Sequence, residues 1–295
     1  MLPLWYSPIY TDGLHPDARF PRDRYRLVRE GLENHPEIAF HEPDELPMEF
    51  FQLAHCPRYV ERFFSQRLDE REVRRIGLKP WTDQIERRTR ILTNGTVEAT
   101  RHVLSNGGFA ANMGGGTHHA YYDFGSGYCI FNDLAISARM AQRDFGVDRV
   151  LILDLDVHQG DGTAAIFEND STVRTVSFHC AENFPFRKME SDLDIALTKG
   201  TSDHEYLQAL DHFLTREAIP DLLLFQAGVD GLSTDRLGHL ELSPEGMKHR
   251  NQVIFDFAAE HEIPTVTTMG GGYGEPISTS VAAHVTLFEQ AAEFP

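Results

Sequence analysis

The stretch DLDVHQGDG places Asp154, Asp156, His158 and Asp161 directly after the apolar run VLIL. Carboxylates taken out of water cost several kcal/mol unless a cation or a set of hydrogen bonds meets them, so this segment is either exposed or built to hold a cation. Asp156 and His158 stand one residue apart at a strand end, which turns both side chains to one side. A catalytic zinc takes three protein ligands from His, Asp or Glu and leaves a position open; Asp230, in QAGVD, completes such a set, and two carboxylates neutralise a dication. Each of the three alone reads as a cap, a turn residue or a surface group. Their recurrence at successive strand exits favours the metal.

The adjacent pair His118 and His119, in GGGTHHA, suits the proton transfers that an activated water and a leaving amine require. Asp154 and Asp161 are then free to orient the two rings. A second reading of Asp154 joins its carboxylate with Ser177 and main-chain carbonyls around a hard cation, for which oxygen ligands are apt. Tyr273 follows Gly270, Gly271 and Gly272. Glycines let a backbone approach a ligand closely, and a phenol can donate to a developing oxyanion. Alone, that segment would read as a flexible turn with a surface tyrosine.

These residues need elements to carry them. Helical periodicity appears near Arg22 to Glu33, near Pro57 to Gln66, from about Gln84 to Val103, and over Asn132 to Phe145, whereas strand signals in the first 80 residues are sparse. From GFAANM onward, short apolar strands alternate with helices. RVLILDL precedes a helical Thr163 to Glu168, then comes the strand TVRTVSF; Asp203 to Glu217 leads to DLLLFQA; Pro244 to His261, with Ser243 as N-cap, leads to PTVTTM and a closing helix after Pro276. This alternation predicts an α/β fold with a mainly parallel central sheet flanked by helices on both faces. In such sheets ligands bind outside the carboxyl ends of the strands, where His118, His119, Asp156, His158, His179, Asp230 and Tyr273 all fall.

No repeat, low-complexity tract or Gly/Ser linker divides the 295 residues, so one domain, 1–295, is expected. A formal net charge of -18 argues against nucleic acid or an anionic membrane surface as partner and would steer in a basic substrate. Cys56, Cys129 and Cys180 are widely spaced without a CxxC, which fits a reducing compartment, and neither a leader peptide nor a long apolar run is legible; the expectation is a cytoplasmic protein.

Taken together, GGGTHHA, GYCIFND, DLDVHQGDG, VSFH, QAGVD and GGGY, in this order, resemble the zinc-dependent histone deacetylase superfamily, and TDRLGHLELSPEGMKHRNQVIF resembles its class IV branch. The resemblance implies an arginase/deacetylase-like fold and hydrolysis of acyl groups, acetyl or longer, from the lysine ε-amine of proteins or peptides. It implies zinc on Asp156, His158 and Asp230, with iron(II) suited to the same donors. His119 would be the principal base, His118 its tandem partner, Asp154 and Asp161 the carboxylates behind them, and Tyr273 the group that polarises the carbonyl. It further implies a potassium ion on Asp154, Ser177 and main-chain oxygens near Asp156, His158 and Phe178, a substrate tunnel walled by Gly127, Tyr128 and Phe184, and substrate binding at Gly271 and Gly272. Thr117 departs from the family, where many members carry a bulky aromatic; a reshaped pocket floor is expected. An acetylpolyamine amidohydrolase and a catalytically silent acyl-lysine binding protein are the alternatives. A dimanganese ureohydrolase would need carboxylates where Gly160 and Leu232 stand.

Overall fold

A computed structural model describes residues 1–294. In chain order the elements are β1 (Leu2–Trp5), α1 (Ile9–Asp12), α2 (Asp23–Gly31), β2 (Ile38–His41), α3 (Met48–Phe51), α4 (Pro57–Phe64), α5 (Glu70–Ile76), α6 (Ile85–Asn106), β3 (Phe109–Asn112), α7 (Asp133–Phe145), β4 (Val150–Asp154), α8 (Asp161–Phe167), β5 (Val173–Cys180), β6 (Leu193–Leu197), α9 (Asp203–Leu214), β7 (Leu222–Gln226), α10 (Pro244–Glu260), β8 (Thr265–Thr268) and α11 (Ile277–Ala291). The strands form an 8-stranded sheet in the order β2-β1-β3-β8-β7-β4-β5-β6. Every pairing is parallel.

Central strands buried on both faces have no polar face to present, and β4 (VLILD) and β7 (LLLFQ) are buried at every position. They pair in register from Val150 on Leu222 to Asp154 on Gln226, so their ends, and the loops beyond, emerge at one level. The helix before β4 and the helix after β7 start on side-chain caps: Asn132 accepts from the Ala135 amide at α7, and Ser243 from the Gly246 amide at α10. Helix α10 packs on α9 and α11, and α6 on α7 and β3.

Three strands escape the periodicity. β1 and β2 lie where strand signals were sparse, and β6 at the far edge was not expected. Pro3 in β1 argues against a strand that turns out to lie inside the sheet, and β2, at the edge, is only partly buried, so no unbroken apolar run marks either. β5 runs on to Cys180, so His179 sits within the strand and not beyond its end. Among the described residues no helix is long and apolar enough to cross a membrane.

Candidate active site

The loops leaving β4, β7 and β8 are stitched together by the carboxylates they carry. Asp230, after β7, accepts the Val157 amide of the β4 loop at 2.9 Å, and Asp156 accepts the Gly271 amide of the β8 loop at 2.8 Å. His158 Nδ1 lies 2.9 Å from Asp156 Oδ1 and 3.1 Å from Asp230 Oδ2. The three side chains thus offer one ligand atom each, all within 4.8 Å of one another and all buried. Two carboxylates and an imidazole gathered in a buried spot form a donor set that fits a divalent ion such as zinc. Burial and the Asp156 charge push the Asp230 carboxyl up to about 7, and although burial opposes it, Asp156 and Asp230 hold the His158 ring up at about 10. Concentrated negative charge here calls for a cation.

Gln226 and Arg250 carry this arrangement and were not singled out from the sequence. Gln226, the last residue of β7, donates to Asp156 Oδ2 at 3.0 Å while its carbonyl oxygen accepts the Gly228 amide at 2.8 Å. The buried Arg250 guanidinium on α10 reaches the carbonyls of Gly228 at 2.6 Å, Ala227 at 3.1 Å and Leu155 at 3.3 Å, fastening the β4 and β7 loops from behind. A polar residue closing an all-apolar strand was the available signal for Gln226. Arg250 gave none, since an arginine on a polar-looking helix reads as solvated.

His118 and His119 lie on the loop between β3 and α7, their ring centroids 4.0 Å apart. Each Nδ1 meets a different aspartate at 2.6 Å: His118 meets Asp154, and His119 meets Asp161 at the start of α8. The two rings are tuned in opposite directions. Burial pushes both down, but Asp154 and Asp156 hold His118 up at about 9, whereas His118 adds to the push on His119, which falls to about 4. A neutral His119, its Nδ1 engaged by Asp161, keeps Nε2 available as a base. The loop is clamped by Asp133, which accepts the Gly116 and Thr117 amides at 3.1 and 2.7 Å and the Thr96 hydroxyl at 2.6 Å. Thr117 spends its hydroxyl on Asp133 too, so at this departure from the family the side chain is tied to the start of α7.

A cavity of about 550 Å³ opens over these groups, lined by His118, His119, Asp156, His158 and Tyr273. Gly127, Tyr128, Phe184 and Gly271 line it as well; Gly272 does not, and its carbonyl instead accepts from Arg24 at 2.9 Å. The Phe184 ring stands edge-on to His119 at 4.9 Å. A Cβ on Gly127 (φ +52) would sit 2.5 Å from His119 Cδ2, and one on Gly271 would sit 1.9 Å from Asp230 Oδ2, so both positions exclude a side chain. The Tyr273 ring lies 6.3 Å from that of His158, its amide held by Asp235 Oδ2 at 2.6 Å, and burial raises its phenol well above the ordinary range. Asp154 and Ser177 are register partners on β4 and β5, next to Phe178; they sit outside the lining of the cavity.

Comparison with known proteins places this arrangement. The histone deacetylase domain matches residues 17–288, and the chain belongs to the histone deacetylase family. An uncharacterized protein of Picosynechococcus sp. is 39% identical over 99% of this chain and 98% of its own length. Histone deacetylase 2 of Arabidopsis thaliana is 36% identical over 61% of the chain and 48% of its own length, and a polyamine deacetylase of Rattus norvegicus is 34% identical over 46% and 26%. The crystal structure of the HDA15 HD domain superposes with a TM-score of 0.81 over 98% of this chain and 90% of its own, at 19% identity. The fold is the arginase/deacetylase-like one.

Proposed function

We propose that residues 1–295 act as one zinc-dependent lysine deacylase domain, hydrolysing the amide between an acyl group and the lysine ε-amine of a protein or peptide. The observation that supports this most is the closure of Asp156, His158 and Asp230 into one buried donor set beneath a cavity that also holds His119 and Tyr273. A bound dication supplies Lewis-acid polarisation of the acyl carbonyl and eases loss of a proton from the attacking water.

The remaining work falls to side chains of this chain. An extended apolar lysine stem suits a passage walled by Tyr128 and Phe184. The Tyr273 phenol, kept protonated by burial, donates to the oxygen on which negative charge develops. His119 takes the proton of the attacking water, Asp161 steadies the imidazolium that results, and a histidine of the pair returns a proton to the leaving amine. Iron(II) suits the same donors. Asp154 and Ser177, with main-chain oxygens of Asp156, His158 and Phe178, are the proposed potassium ligands, and the class IV branch is the proposed placement within the family.

An acetylpolyamine is the second reading, supported by the net charge of -18 and by the polyamine deacetylase among the relatives. The test is a panel of lysine peptides and polyamines bearing acetyl through myristoyl groups, followed by release of free acid. Release from lysine peptides is expected. Release from polyamines alone would select the second reading, and bound zinc with no release from any substrate would make the chain a silent binding protein.

A further inference from the structure

In each histidine–aspartate pair the carboxylate receives a ring Nδ1 and a backbone amide, and Asp161 receives a phenol as well. Asp154 receives His118 on Oδ2 and the Asp156 amide on Oδ1 at 3.1 Å. Asp161 receives His119 on Oδ1, together with the Gly162 amide at 3.0 Å, and its second oxygen receives the hydroxyl of Tyr121 at 2.9 Å. Tyr121 stands two residues beyond His119 on the same loop, so the residue that would act as base and the phenol that grips its carboxylate are placed together by local chain geometry.

The phenol is held firmly. Its ring stacks on Phe124 at 4.4 Å with an interplanar angle of 16°, and the Arg75 guanidinium lies 4.5 Å above the Phe124 ring. The Tyr121 amide donates to the Phe124 carbonyl at 2.9 Å, and its own carbonyl accepts from the buried His55 ring at 2.9 Å. Burial and the adjacent carboxylate keep the hydroxyl protonated, so it serves as a donor. The ring alone satisfies the stacking on Phe124, and the hydroxyl adds the hydrogen bond to Asp161.

We infer that Tyr121 is a positioning residue for His119, acting through Asp161: the Tyr121–Asp161–His119 chain fixes the carboxylate so that the imidazole keeps its proton on Nδ1 and presents Nε2 to the cavity. This rests on the proposed deacylase reading for its catalytic consequence, though not for the geometry itself. Partners that orient a functional histidine from behind typically change activity 10- to 100-fold when removed. Because Tyr121 does not line the cavity, loss of its hydroxyl should fall on kcat and spare KM.

The test pairs kinetics with NMR on Tyr121→Phe, which preserves the ring stacking. The expected result is a kcat about tenfold lower on an acyl-lysine peptide, with KM and zinc content unchanged. The Nδ1 proton of His119 should shift, while that of His118, whose aspartate has no phenol, stays in place. Unchanged kcat in an active protein, or equal movement of both ring protons, would overturn the inference while leaving the deacylase reading intact. A wild-type protein that releases no acid from any substrate would overturn the deacylase reading and the kinetic half of the inference, and the two ring protons would still decide the geometry.

Discussion

At the scale of single residues, the site divides its carboxylates by partner. Asp156 and Asp230 face His158, Asp154 and Asp161 each face one ring of the histidine pair, and Asp133 holds the loop that bears that pair. The division accounts for so many acids at one sheet edge, each with a hydrogen-bonded or cationic counterpart. Tyr273 is the residue whose role is most separable, because its backbone is fixed by Asp235 while the phenol faces the cavity. Tyr273→Phe should therefore fold and take up zinc as wild type does, yet lose about 100-fold or more in kcat, the usual effect of deleting one oxyanion donor. Near wild-type turnover in that variant, with zinc content measured alongside, would remove Tyr273 from the mechanism.

At the scale of elements, the segment joining α3 and α4 braces the histidine loop through His55. The ring donates from Nδ1 to the Tyr121 carbonyl at 2.9 Å and accepts the Asn132 amide on Nε2 at 2.8 Å, which requires the neutral form. Burial lowers its pKa from 6.5 to about 4. A histidine whose folded pKa is depressed gives stability that is present above its unfolded pKa and is lost as pH falls from about 6.5 toward about 4, an effect on the order of 3 kcal/mol for this shift. Urea denaturation across that window should show a shallower pH dependence for His55→Gln than for wild type. Identical slopes would mean that His55 is not the titrating brace. The element scale is also where sequence and structure part. β4, β7, α7 and α10 were legible because unbroken apolar runs or caps mark them, while β1 is interrupted by Pro3 and the edge strands β2 and β6 are only partly buried and carry no long apolar run.

At the scale of the molecule, the fold's contribution is convergence. Asp156 and His158 are separated from Asp230 by more than two strands' worth of chain, yet β4 and β7 are neighbours in the sheet and end in register. Motif spacing singled out the residues proposed to carry chemistry, and their expected placement at strand exits predicted a shared edge, where the structure gathers Asp156, His158 and Asp230. The fastenings stayed hidden: Gln226, Arg250, Asp235, His55 and Tyr121 act on backbone carbonyls, amides or other side chains far away in sequence, and apart from the polar end of β7 at Gln226 no local pattern announces such contacts. The central claim, that one metal held by loops from two adjacent strands drives hydrolysis, is tested most directly by stripping the protein with a chelator and titrating zinc back while following acid release from an acyl-lysine peptide. Activity should return in proportion to zinc and saturate at one equivalent per chain, and Asp230→Asn should neither retain the ion nor recover. Full hydrolysis by the metal-free protein, or undiminished zinc uptake and turnover in Asp230→Asn, would contradict the account.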